Sequence, residues 1–160
     1  AMRAAPAASG CARLDGELLR SVATTHSSGL AVVASPPEML PLEALTNDHV
    51  IAIVERAQRE YGTVFVDLPA NWTHWSLSLV AQSHLVLLVT ELTVAGLHRA
   101  RRQLDLLQEQ GLGNVELRVV VNRFEKSMFR TVKPADVEKV LGREAAYTVA
   151  NDPAVIDAAI

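Results

Sequence analysis

The chain has one cysteine, Cys11, in 160 residues. That excludes an internal disulfide or a cysteine cluster for zinc, and it suits a free thiol in a reducing compartment such as the cytosol. The histidines, His26, His49, His74, His84 and His98, never stand four apart, so no helical metal-binding pair is read from them. No G-x-S-x-G elbow is present to support serine-hydrolase chemistry. Lysine is scarce: Lys126, Lys133 and Lys139 are all there is, and none follows a glycine. The chain therefore has no G-x-x-x-x-G-K-[ST] loop, in which backbone amides and a lysine cradle phosphates. No apolar run reaches the ~18 residues of a membrane span. The opening Ala1-Met2-Arg3-Ala4-Ala5-Pro6-Ala7-Ala8-Ser9-Gly10 lacks the apolar core of ~7 to 15 residues that a signal peptide needs. A net charge of −3 and a pI near 5.9 give no general attraction to nucleic acid or to an anionic membrane.

What the chain does have is apolar residues, 49% of the total, enough for the core of one domain. Residues 1–13, rich in Ala, Pro and Ser, are expected to be a flexible lead-in, and 14–160 the domain. Asp15 can cap a helix over about 15–26 that Ser27-Ser28-Gly29 stops. Leu30-Ala31-Val32-Val33-Ala34 is a continuous apolar run, as in a strand covered on both faces, and Pro36-Pro37 ends it. Val50, Ile51, Val54, Ala57 and Tyr61 recur at helical spacing. A second strand is expected over 63–68, a short helix over 75–81, and a central parallel strand over 84–90. Thr93 then caps a helix whose apolar stripe is Val94, Leu97, Ala100, Leu104 and Leu107, with Gly111 at its end. A strand over 117–122, a helix over 136–141, a strand over 147–149 and a helix from Pro153 complete the pattern. Alternating strands and helices predict an α/β fold in three layers, a mostly parallel sheet with helices on both faces.

Four features carry candidate chemistry. Val64-Phe65-Val66-Asp67-Leu68-Pro69 is an apolar run closing on a carboxylate, which can orient a metal-bound water or simply cap the following turn. Asn122 closes another apolar run, and its side-chain amide offers a donor and an acceptor together; a strand-end turn is the alternative. Trp72 and Trp75 are spaced to share one surface, as anchors for a partner or second subunit, or as a packed lid. His98, Arg99, Arg101 and Arg102 make one helical turn basic, either a solvated face or a dock for an acidic partner or membrane surface.

In order along the chain, these segments resemble the MinD/ParA group of P-loop ATPases and, within it, the CpaE/TadZ branch of pilus-assembly proteins. The resemblance rests on Val66-Asp67-Leu68-Pro69-x-Asn71-Trp72-Thr73-x-Trp75, Leu87-Leu88-Val89-Thr90-Glu91-Leu92-Thr93, the run from Arg99 to Leu107, and Val121-Asn122-Arg123-Phe124. It implies that Asp67 matches the Walker B acid beside Mg²⁺ and water, and that Asn71, Trp72, Thr73 and Trp75 belong to a switch that senses the γ-phosphate. It also implies that Asn122 and Arg123, with Asn151-Asp152-Pro153, line the adenine, although Ala150 stands where the family usually has proline. ATP and Mg²⁺ are the implied cofactors of intact members. The family's first strand, P-loop and signature lysines have no counterpart here, so the expectation for this chain is that it binds no nucleotide phosphate and does not hydrolyse ATP.

In the family the P-loop strand lies between the Walker B strand and the strand matching 84–90, so an unpaired slot is expected. Direct pairing of those two strands, a segment from a second copy, or descent from a longer protein would each answer it; a self-associating fragment or shortened homologue is the reading favoured. The resemblance also implies pilus or secretion assembly proteins as partners, no nucleic acid, and a cytoplasmic place, with recruitment to the cell pole or inner membrane face. The competing expectation is a scaffold that binds no nucleotide and docks proteins through Trp72, Trp75 and the Arg99, Arg101 and Arg102 surface.

Overall fold

A computed structural model describes residues 15–34, 46–125 and 132–158. The expected lead-in, Cys11, Lys126 and the Pro36-Pro37 stop lie outside them. The chain divides into two compact units, Ala1–Ser78 and Leu79–Ile160.

In the first unit, α1 (Gly16–Val22) begins where the Asp15 carboxylate accepts the Leu18 amide at 2.9 Å. It stops earlier than the 15–26 expected, because Ala23 turns extended and the β-branched Thr24–Thr25 forms β1. β1 pairs antiparallel with β2 (Ala31–Val32) across a turn in which Gly29 takes φ +88°. The run 30–34 is therefore a two-residue hairpin arm, with Leu30, Val32 and Val33 exposed, and not a doubly covered strand. Thr46 caps α2 (Asn47–Glu60), accepting the His49 amide. α1 packs on α2, and the Glu60 carboxylate takes both Arg20 and Arg56.

The expected strand over 63–68 is corrected. These residues join no ladder, and Phe65 is 79% exposed. A strand needs a neighbour to satisfy its amides and carbonyls, and among the described residues none runs alongside. α3 (His74–Gln82) follows, one residue longer at each end than expected.

The second unit is built on a three-stranded parallel sheet in the order β3-β4-β5. β3 is Val86–Glu91, β4 is Leu117–Phe124 and β5 is Ala145–Ala150. Among the described residues the strand expected at the centre, 84–90, lies at the edge of the sheet instead, and β4 holds the middle. β3 also alternates: Leu88 and Thr90 are buried while Leu87 and Val89 are exposed, Val89 by 57%.

α4 (Val94–Glu109) starts where Thr93 Oγ1 accepts the Gly96 amide at 2.9 Å, and Gly111, at φ +73°, follows its end as expected. Of its expected stripe Leu97, Ala100, Leu104 and Leu107 are buried. Val94 is not, because it sits in the first turn and is 59% exposed. Gly96 is required, since a Cβ there would lie 2.7 Å from the Glu91 carbonyl oxygen.

α5 (Pro134–Leu141) opens on proline, which lacks the amide that a first helical turn leaves unpaired, and α6 (Pro153–Ala158) is the last described element. α4 packs on β3 and on α5, and α5 on β5. The core of this unit is Leu88, Val119 and Val121 from the sheet, with Leu97, Leu104 and Leu107 of α4 and Val137 and Leu141 of α5. This is an α/β fold with a parallel sheet and helices.

Candidate functional site

In parallel sheets, ligands gather beyond the carboxyl ends of the strands, where loops turn toward the helices. In the second unit that edge carries Glu91 from β3, Asn122 and Arg123 from β4 with Glu125 just after it, and Asn151 and Asp152 after β5. They form two separate polar clusters, Arg123 with Asn122 and Glu91, and Asn151 with Glu125, while Asp152 serves the first turn of α6. The Arg123 amide N–H donates to Asn122 Oδ1 at 2.9 Å, and Arg123 Nη1 reaches Glu91 Oε1 at 3.4 Å. The Asn151 amide donates to the Phe124 carbonyl at 3.0 Å, which carries the β4–β5 pairing one step past the ladder. Its side-chain Nδ2 donates to Glu125 Oε1. Asp152 Oδ1 accepts the Val155 amide at 3.3 Å, in the first turn of α6. Asn122 and Asn151 are half-buried, while Arg123 and Asp152 are exposed.

The residues expected to line a base thus stand together: Asn122, Arg123, Asn151 and Asp152 share one edge. Two companions were missed, Glu91 and Glu125. The signal for both was present, a charged side chain at the end of an apolar run in adjacent strands. Arg123 also has φ +51°, a left-handed conformation that side chains rarely adopt and that no sequence pattern announced.

The expected acid and switch residues belong to the first unit. Asp67 is exposed at the end of the unpaired segment 63–69, and Asn71 is exposed. Trp72 and Trp75 are half-buried, and Trp75 Nε1 is buried with no hydrogen-bond partner. Thr73 has a structural task. Its hydroxyl lies 3.2 Å from Ser76 Oγ and accepts the Ser76 amide, while its own amide donates to Ser76 Oγ, so the pair caps α3. On α4, His98, Arg99, Arg101 and Arg102 are all exposed, but Arg101 is engaged by Asp105 at 3.0 Å and reaches the Val140 carbonyl.

The residues fit the two halves of a nucleotide unequally. Amide groups at a sheet edge suit a heterocyclic base, which offers ring nitrogens and exocyclic groups to hydrogen-bond. The phosphate and Mg²⁺ half does not fit. Mg²⁺ is held by one or two carboxylates together with the phosphates themselves. Here Asp67 is a lone exposed carboxylate, no cradle motif accompanies it, and no group of three acidic, histidine or cysteine side chains converges among the described residues.

No protein-family model matches the chain, and a search of the curated proteins finds no match. Solved structures do match. A ParA family ATPase from Chlorobium tepidum TLS superposes with a TM-score of 0.80 at 23% identity, over 91% of this chain and 59% of that one. The MinD cell division protein of Aquifex aeolicus gives 0.68 at 18% identity, over 87% of this chain and 58% of MinD. A chain from the MinC:MinD complex of the same organism gives 0.69 at 18%, over 87% and 56%. The class is therefore the α/β fold of P-loop nucleoside triphosphatases. Within that class the arrangement is the one that ParA and MinD share, and this chain spans under three-fifths of the length of those structures.

Proposed function

We propose that the chain is part of a MinD/ParA-type protein of the CpaE/TadZ kind, which localises a Flp/Tad-type pilus or a related secretion assembly, with 14–160 as its ATPase-type domain. The observation that carries the reading is that Asn122 and Asn151 both stand at the carboxyl edge of adjacent parallel strands in a fold of this type. The segments around Asp67, Thr90 and Asn122 support the finer branch. Base recognition falls to Asn122, Arg123, Asn151 and Asp152. Asp67 and the segment from Asn71 to Trp75 supply the acid and the switch in an intact relative. This chain by itself hydrolyses no ATP, because its sequence holds no G-x-x-x-x-G-K-[ST] loop to cradle the phosphates and neutralise a transferring phosphoryl group. Its partners are a second copy and assembly proteins in the cytoplasm, at the pole or inner membrane face. One of the similar structures comes from a MinC:MinD complex, which makes a protein partner a reasonable expectation.

Phosphate release with Mg·ATP is expected to equal the buffer blank; release that Asp67→Ala abolishes would overturn this. Sedimentation at rising concentration is expected to show self-association, and a monomer throughout would remove that part.

The scaffold reading has its own support in the exposed His98, Arg99 and Arg102, which have no ion-pair partner among the described residues. Calorimetry separates the two, since sub-micromolar Mg·ATP binding is incompatible with a scaffold.

A further inference from the structure

The turn that carries β5 into α6 is tied at both ends. On the β5 side the Asn151 amide donates to the Phe124 carbonyl at 3.0 Å, and Asn151 Nδ2 donates to Glu125 Oε1. On the α6 side Asp152 Oδ1 accepts the Val155 amide at 3.3 Å. Two successive residues at the end of β4 thus hold one residue at the end of β5, the first through its backbone and the second through its side chain. The backbone bond continues the parallel ladder. The bond from Glu125 lies outside the ladder, and pairing of the strands does not account for it.

A carboxylate accepts and never donates, so the Asn151 side chain turns its nitrogen to Glu125. One hydrogen bond leaves a residue free to swing about it. Two from the same residue set the direction in which Asn151 hands the chain on to Asp152 and Pro153. The residue just before, Ala150, has no ring to restrict its φ, so the order of the turn depends on what holds Asn151.

We propose that Glu125 is a positioning residue: it fixes the turn over 151–153 against the end of β4 before a ligand arrives, and so lowers the ordering cost met by a base that docks there. The inference rests on the reading that a base docks at this edge. It adds a residue that acts on the base through Asn151 without touching it.

Adenosine carries no phosphate, so it isolates the base edge. It is titrated into the full chain and each variant, following the Asn151 and Asp152 backbone amides by NMR, and hydrogen exchange is read on the same samples. A bond to an ionised acceptor is stronger than a neutral one, and exposure to water reduces it, so Glu125→Ala is expected to weaken adenosine about fivefold. Exchange at the Asn151 and Val155 amides is expected to quicken, with that at buried Val119 unchanged. Glu125→Gln keeps a carbonyl oxygen for Asn151 Nδ2 and is expected to stay within about twofold of the parent chain.

Ala150→Pro separates positioning from direct contact. Asn151 turns its amide to Phe124, so alternation along β5 turns the Ala150 amide to the far side, where no strand lies among the described residues. Proline there removes no ladder bond and stiffens the turn. Added to Glu125→Ala, it is expected to recover most of the lost affinity. Adenosine binding unmoved by Glu125→Ala, a loss that Glu125→Gln shares in full, or one that Ala150→Pro leaves untouched overturns the inference and leaves the base-site reading standing. No binding of adenosine by the parent chain overturns both.

Discussion

The two units treat similar material differently. In Leu79–Ile160 the apolar runs around Leu88, Val119 and Thr148 lie beside one another in parallel ladders, and α4 and α5 bury their apolar stripes on them. In Ala1–Ser78 two runs of comparable character end otherwise. Residues 30–34 supply a two-residue hairpin arm, and 63–68 join no sheet. Composition does not separate them; neighbours do. A strand is stabilised only when another strand takes up its backbone groups and a covering layer takes up its side chains.

The largest expected effect tests that contrast directly. Leu97, on α4 and 3% exposed, lies in the core of the second unit, and Leu97→Ala is expected to cost about 2–5 kcal/mol through lost burial and the cavity left behind. Phe65→Ser removes a larger side chain, yet one already in water, so the expected change is within about 0.5 kcal/mol. Urea unfolding of both variants measures the two. Similar costs would mean that 63–68 is packed in solution and that the contrast is false.

The contrast also explains what could be read from the amino acids. Helices α2 and α4 were legible within a few residues, α2 from the spacing of Val50, Ile51, Val54, Ala57 and Tyr61, and α4 because Thr93 marks its start and Gly111 follows its end. β4 and β5 were legible as strands but came out longer, since pairing extends a ladder through polar ends such as Asn122 and Arg123. The failures share a cause. An apolar run states that burial is favourable without naming the partner, so 30–34 and 63–68 looked as strand-like as 117–122. At the candidate edge, Asn122 and Asn151 could be picked out by residue type. Arg123 was marked with them but its left-handed conformation was not, and Glu91 and Glu125 were passed over although each charge stands at the end of an apolar run, because only the strand register brings them beside Arg123 and Asn151.

An intermediate effect compares two glycines, one in each unit. At Gly96 an added Cβ meets the Glu91 carbonyl at 2.7 Å and the Thr93 hydroxyl at 2.9 Å, both part of the turn that carries β3 into α4. Backbone cannot swing aside, so Gly96→Ala is expected to cost about 1–3 kcal/mol, with slowed hydrogen exchange lost at the start of α4. At Gly16 the added atom meets only the ends of Arg56 and Glu60, long side chains that can rotate away. Alanine also favours a helix over glycine by about 1 kcal/mol, so Gly16→Ala is expected to be near neutral. Equal losses at the two positions would mean that the Arg20, Arg56 and Glu60 group is held more firmly than a surface ion pair.

The smallest effect is a pH dependence confined to the second unit. The Asp136 carboxylate accepts the Lys133 amide at 2.9 Å and lies 3.4 Å from Lys139 Nζ. The backbone hydrogen bond first, and the lysine second, hold its pKa below the usual 3.8. Both interactions favour the ionised form, so the folded state binds its proton less readily than the unfolded chain. The stabilisation is present above the ordinary carboxylate value and fades as pH falls through the lowered folded one. The opening turn of α5 is thus expected to lose amide protection in acid before the core around Val119 does, by a margin small for so exposed a group. In Asp136→Asn the acid-dependent part of that loss should vanish, because asparagine still accepts the Lys133 amide but does not titrate. If the variant frays over the same acidic range as the parent chain, the turn is governed by another group, and the second unit is less uniformly held than its buried core implies.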